Sequence, residues 1–347
     1  SFICFVCCVI LCVITYIAHK ANSDMIDETS MITVAVVLLA VLIIAIITVG
    51  LYVTKRNKKM RGSNKMNQKY DAHSGNYYEI NNDRQPLVLI HAQGVDGTSY
   101  ANVSKRLSKK FHIYSIDCYG HGKSSHAPES YNIVDISNAV ISFIENVVKS
   151  NVWLLGHSSG GLIAAFIVSK TTLCDKLILE DPPFFSSQGD SRKNTFNYVD
   201  LSTICHNYIM QDEQKDFVLY YFTNQYAWNL FPEKSRNKVR AKLVKIATTY
   251  RKKHPDKDLK VLFWPKSALA GYKGMNNYDP LFGETFYNDS FHCGIPHEDI
   301  LSKISCDTIF MKAKTNIGNN GLLLAALSDD DVRHVAEVIP KCKIVHF

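Results

Sequence analysis

Acidic side chains are missing where basic ones crowd. From Lys55 to Lys69 the chain carries seven Lys or Arg and no Asp or Glu, an excess equal to its whole formal net charge of +7. Charge of either sign is absent from Met31 to Val53, a run of 23 residues. At about 1.5 Å per residue such a run reaches roughly 34 Å as a helix, enough to cross about 30 Å of hydrocarbon, so a transmembrane helix is expected there. A shorter apolar run, Phe2 to Ala18, is 17 residues long. It reads either as a second span or as the core of a signal peptide. Lys and Arg next to a membrane end stay on the cytoplasmic side, while His19–Ser30, between the two runs, holds three acids. The rest of the chain is therefore expected in the cytoplasm, with the membrane as a partner. The basic run is a topology and lipid-surface signal, so no nucleic-acid partner is expected.

Paired cysteine motifs are also missing where they would count. Four of the ten cysteines (Cys4, Cys7, Cys8, Cys12) lie inside the first apolar run, and the other six are scattered without partners at zinc-ligand spacing. That pattern fits a reducing compartment, and neither a structural metal nor a cofactor is expected. Internal repeats and low-complexity tracts are lacking as well.

From Tyr77 onward, short and nearly continuous hydrophobic runs alternate with helical segments. Strands are expected at 86–91, 111–117, 152–156, 176–180, 307–313 and 343–347, with helical stretches at 99–110, 134–150 and 160–170. Runs of that kind suit parallel strands buried on both faces, and the class is α/β with a mostly parallel, doubly wound sheet. From Pro182 to Ile304 over a hundred residues lack a convincing buried strand. A structureless loop of that length would be anomalous, so the segment reads as a helical insertion capping the sheet. The expected organisation is a membrane region over 1–54, a basic linker over 55–75, and a domain over 76–347 with its cap at 182–304.

Chemistry concentrates at the strand ends. "WLLGHSSGGLIAAF" (153–166) runs from a strand through Gly-His-Ser-Ser-Gly straight into a helix, placing Ser158 on a tight turn. A GxSxG motif in that context is the signature of an exposed serine nucleophile. The helix that follows points free N–H groups toward Ser158 and favours negative charge there. "HAQG" (91–94) leaves an earlier strand, "DCYGHGKSS" (117–125) the next, and "LEDPP" (179–183) the one after the serine.

Taken in this order and spacing, "HAQG", "DCYGHGKS", "GHSSGG" and "LEDPP" resemble the α/β-hydrolase superfamily, in its branch of lipase, esterase and peptidase-like enzymes with a helical cap. The resemblance spans roughly Tyr77 to Phe347. It implies an acyl-enzyme at Ser158 formed on an ester, amide or related carbonyl substrate, either a small molecule or a lipid-like one. The backbone N–H groups of Gln93 and Ser159 would form the oxyanion hole. Asp117 and His121 would orient loops beside the site, and His157 would pack beneath the turn.

A serine needs a base, and the base an acid. In the family the histidine follows the last strand, which here is "KIVHF" at the end of the chain, so the base is expected beyond Phe347. His346 lies within that strand, and only their chemistry recommends His292 and His297. The acid usually follows the penultimate strand, but "KTNIGNNG" (314–321) has no Asp or Glu. The family's second position, after the strand that follows the nucleophile helix, holds Asp181, with Glu180 turned the other way by strand alternation. Asp181 is the candidate acid; its alternative role is to cap the entry into the insertion. Ser328 with Asp329, Asp330 and Asp331 reads as a helix start. The missing acid keeps open a second reading, a non-catalytic binding or receptor domain on the same frame. The aromatic stretch 217–231 either packs on the sheet or lines a pocket.

Overall fold

The computed structural model describes residues 66–72, 75–262, 264 and 269–347. The two apolar runs expected to enter a membrane, and most of the basic run after them, lie outside the described residues. Among the described residues no helix is long and apolar enough to cross a membrane.

Eight strands form one sheet: β1 (Asn67–Asp71), β2 (Gly75–Ile80), β3 (Gln85–Ile90), β4 (Phe111–Ile116), β5 (Val152–His157), β6 (Cys174–Glu180), β7 (Asp307–Lys312) and β8 (Cys342–His346). Their spatial order is β1-β2-β4-β3-β5-β6-β7-β8. From β4 to β8 every neighbouring pair is parallel, whereas β1 with β2 and β2 with β4 run antiparallel. Six strands match the hydrophobic runs read from the sequence. The first two do not, because β1 is exposed on its edge and "NYYE" in β2 includes the polar Asn76 and Glu79, whose side chains bond to Asp117 and His112. The sheet therefore starts at Asn67, nine residues before the expected domain boundary.

The helices that flank the sheet are α1 (Ala101–Leu107), α2 (Ile133–Phe143), α3 (Ser159–Lys170) and, nearer the C-terminus, a short helix at His297–Leu301 and another at Asp329–Val338. Asn132 starts α2 by accepting the N–H groups of Val134 and Asp135 at 3.1 and 2.9 Å. A π-helical turn at Ile144–Val148 follows, ended by Lys149 in the left-handed region. Ser328 and Asp331 form a reciprocal capping box, the role expected of that acidic cluster. Every residue of α3 from Ser159 to Val168 is buried, because α3 packs on the sheet and is itself covered by α2 and the His297–Leu301 helix.

The insertion between β6 and β7 is helical, as expected. It contains α4 (Thr203–Ile209), α5 (Phe217–Asn224), α6 (Glu233–Lys253) and α7 (Pro280–Tyr287), after which the His297–Leu301 helix is α8 and Asp329–Val338 is α9. Phe217, Val218, Leu219, Phe222 and Trp228 are buried in the same apolar cluster as the sheet face. Packing thus accounts for most of the aromatic stretch, while Phe217 and Val218 at its start also line a separate cavity of about 530 Å³. Arg251 of α6 fastens the insertion through Asp216, its Nε and Nη2 donating to the two carboxylate oxygens at 2.7 and 3.1 Å.

Candidate active site

The turn at Ser158 is sharp because it must join a strand to a helix without an intervening loop. Ser158 sits at φ 52° and ψ −120°, a conformation that costs a non-glycine residue on the order of 1–3 kcal/mol. Its amide donates to Glu180 O on β6 at 2.9 Å, and its carbonyl accepts from Gly161 at 2.8 Å to begin α3. Two glycines are required by close approach. A Cβ on Gly156 would lie 2.1 Å from Gly160 O, and one on Gly160 would lie 2.3 Å from Ile90 O. The second contact brings the turn against the end of β3, where "HAQG" begins.

That loop is held by two neutral histidines. His91 donates Nδ1–H to Ala92 O at 2.8 Å and accepts the Cys118 N–H on Nε2 at 3.0 Å. His121 accepts the Gly94 N–H on Nε2 at 3.2 Å and donates Nδ1–H to Tyr119 O at 3.0 Å. Both rings are buried, and desolvation pushes both toward the neutral form that these bonds require, His121 well below the ordinary histidine value. Asp117 supports the same region: Oδ1 accepts from Gly97 N at 2.7 Å, while Oδ2 accepts from Lys123 N at 2.9 Å and Asn76 Nδ2 at 2.7 Å. Burial pushes its carboxyl up, opposed by the N–H bonds from Lys123 and Gly97. The loop-orienting roles expected of Asp117 and His121 match these contacts, and His91 shares them.

Gln93, Ser158 and Ser159 line one cavity of about 50 Å³. The Gln93 side chain is tied up elsewhere, its Nε2 donating to Tyr278 OH in the insertion at 2.8 Å. The remaining wall is rich in hydroxyls (Ser186, Ser187, Thr195, Tyr198, Ser202) and includes Arg192 and Phe286. Arg192 is committed to holding that wall. Its Nε and Nη2 donate to Tyr287 O at 3.3 and 3.0 Å, and it lies over the Tyr198 ring at 5.7 Å. Ligand pockets usually hold about 300 Å³ or more, so this cavity is small for one.

Asp181 stands at the end of β6 with φ +47°. Its Oδ1 accepts the Ala313 N–H at 3.1 Å and lies 3.9 Å from the ammonium of Lys312, which is fully buried. Burial pushes the Asp181 carboxyl up, opposed by that N–H bond and by Lys312. Among the described residues no histidine is hydrogen-bonded to Ser158 Oγ or to Asp181. His346 is exposed at the end of the edge strand β8, while His292 and His297 are buried with their ring nitrogens bonded to each other and to the 185–187 backbone. Sequence reasoning missed Lys312 and the Tyr278 contact. A lysine inside the strand-forming run "DTIFMKA" was the one visible signal, whereas nothing local links Tyr278 to Gln93.

A strand-turn-helix serine, a histidine-braced loop beside it and a mostly parallel sheet interrupted by a helical insertion occur together in one architecture. The fold is that of the α/β hydrolases. Residues 87–229 match the family model described as the alpha/beta hydrolase family. The solved structure of an E-2-(acetamidomethylene)succinate hydrolase is similar at a TM-score of 0.53 and 10% identity, covering 81% of this chain and 90% of that one. An N-formylmaleamic acid deformylase from Pseudomonas putida is similar at a TM-score of 0.51 and 16% identity, covering 81% and 92%. Among curated relatives, a human serine hydrolase-like protein is 30% identical over 118 residues, 33% of this chain and 57% of the relative. A pimeloyl-(acyl-carrier protein) methyl ester esterase from Vibrio cholerae is 28% identical over 120 residues, 33% of this chain and 44% of the relative. The chain thus spans about half the length of the curated relatives it matches.

Proposed function

We propose that this α/β-hydrolase chain is a membrane-anchored serine hydrolase whose globular domain faces the cytoplasm and cleaves an ester, amide or related carbonyl substrate through an acyl-enzyme at Ser158. The observation that carries the reading is the strained backbone of Ser158 at the junction of β5 and α3. It holds the side chain above the sheet, beside amides that are not used in the helix ladder. In this reading Ser158 Oγ attacks the substrate carbonyl, and the N–H groups of Gln93 and Ser159 take up the negative charge that forms on its oxygen. Each such donor is typically worth about 3 kcal/mol of transition-state stabilisation. The neutral tautomers of His91 and His121 keep the Gln93 amide aimed, because protonating either Nε2 would remove the acceptor that holds Cys118 or Gly94. Asp181 serves as the acid that orients the base.

The test is labelling of the full-length protein with a fluorophosphonate. Ser158→Ala should abolish it, and undiminished labelling of that variant would remove Ser158 as the nucleophile. A second reading, a non-catalytic binding domain on the same frame, is favoured by one observation: the Asp181 carboxylate is engaged with Ala313 and Lys312. Absence of labelling in folded full-length protein, together with saturable binding of an acyl ligand, would support that reading instead.

A further inference from the structure

We propose that the exposed face of α6 is a docking surface for a bilayer bearing anionic phospholipid, a proposal that rests on the membrane-anchored reading above. The helix runs from Glu233 to Lys253 and holds nine basic residues and one acid, Glu233 at its first position. Its arginines and its lysines are divided by face. Arg251 is buried and bonded to Asp216, Lys257 O and Asn276 Oδ1. Arg236 donates to Asn229 O and Phe231 O, and Arg240 to Asn224 Oδ1. The three arginines thus fasten the helix to the rest of the insertion.

The lysines do none of this. Lys234, Lys238, Lys242, Lys245, Lys252 and Lys253 are all exposed. None of them forms an ion pair among the described residues, and Glu233 does not reach them either. At about 100° per residue these six positions fall within an arc of roughly 100°, whereas Val239, Leu243, Ala247 and Tyr250 occupy the opposite side. The outcome is a row of six unneutralised ammonium groups along about 28 Å of helix.

The chemistry of the row selects its occupant. Readout of individual bases uses the planar fork of arginine and stacking on aromatic rings, and this face presents neither. Lysine ammonium groups on flexible stems suit a diffuse negative surface, where each contributes by proximity rather than by a fixed geometry. In sequence the chain already places seven basic residues and no acid directly after its 23-residue uncharged run. A second positive strip on the insertion that walls the Ser158 cavity would hold that insertion at the lipid surface.

The experiment uses the full chain reconstituted into nanodiscs of phosphatidylcholine alone or of phosphatidylcholine with phosphatidylserine. Lysines are acetylated and the rates read by mass spectrometry, with exposed Lys303 and Lys341 as internal references. The expected result is at least five-fold slower acetylation of the six α6 lysines in the phosphatidylserine discs, reversed by 0.5 M salt, with the references unchanged. The magnitude follows from about five-fold in partitioning per lysine near an anionic bilayer. Equal rates in the two discs would overturn the proposal, as would protection by added single-stranded RNA but not by phosphatidylserine. A Lys238→Glu, Lys242→Glu, Lys245→Glu variant with unchanged circular dichroism should lose the protection. If the chain fails to enter nanodiscs at all, the anchoring reading falls. Flotation of the same protein with phosphatidylserine vesicles then decides the docking proposal by itself, binding supporting it and absence of binding overturning it.

Discussion

His297 donates its Nε2–H to His292 Nδ1 across 3.3 Å, one link of a three-bond chain that begins at Phe185 N–H and ends at Ser187 O. Phe185 N–H donates to His297 Nδ1 at 2.7 Å, and His292 donates Nε2–H to Ser187 O at 3.0 Å. Every ring nitrogen is committed, so neither ring can take a second proton without breaking a link. Burial pushes both rings below the ordinary histidine value of 6.5, with Asp289 opposing and Arg192 assisting at His292. The segment so held carries Pro183, Ser186 and Ser187 of the cavity wall, and Phe185 in it has φ +63°.

A pH dependence follows from those two rings. Near and below 6.5 the unfolded chain binds protons that the folded chain refuses, so stability should fall as pH drops through that value and recover as pH rises. His121, also held neutral by burial, acts in the same direction. Urea unfolding between pH 7.5 and 5 would show the midpoint falling. His297→Leu should cost about 1–3 kcal/mol at neutral pH, by orphaning the Phe185 N–H, and should flatten the dependence. A variant with the wild-type slope would mean that these rings do not set it.

Strain at Ser158 predicts opposite effects on stability and on chemistry. Ser158→Gly removes the Cβ penalty at φ 52° and should raise stability by about 1 kcal/mol while eliminating fluorophosphonate labelling. Thermal melts beside labelling gels would reveal both, and a destabilised glycine variant would contradict the strain.

Gly160→Ala tests how closely the Ser158 turn and the "HAQG" loop approach. The added methyl would meet Ile90 O at 2.3 Å and His91 O at 2.5 Å, both backbone atoms that cannot swing aside. A loss of about 1–3 kcal/mol is expected, together with slower labelling because the Gln93 amide is displaced. Unchanged labelling would argue that Gln93 does not serve the oxyanion.

Lys312→Met probes Asp181. Removing the cation 3.9 Å away leaves burial to push the Asp181 carboxyl further up. If Asp181 supports the base, the acid limb of the labelling-versus-pH profile should move to higher pH. A profile that does not move would relieve Asp181 of that role, leaving it as the tie between the ends of β6 and β7.

Six of the eight strands could be read from the sequence because strands buried on both faces must be apolar almost throughout. The pair β1 and β2 could not, because an exposed edge and a polar hairpin have no such pattern. Ser158 was legible because its turn, the glycines around it and the apolar helix after it are contiguous in the chain. Asp117 and His121 could be recognised only through the wider motif, since their partners Gly97, Gly94 and Asn76 are 20 to 41 residues away.

By itself the sequence determined what local physics can determine: the alternation of strands and helices, the turn that strains Ser158, the capping box at Ser328, and a helical insertion between β6 and β7. Tertiary structure decided which groups meet. It placed Lys312 against Asp181, Tyr278 against Gln93, and His292 against His297, and it turned the arginines of α6 inward while leaving its lysines in solvent. Those pairings depend on the register of strands and the packing angle of helices, which many distant residues set together and no short stretch encodes.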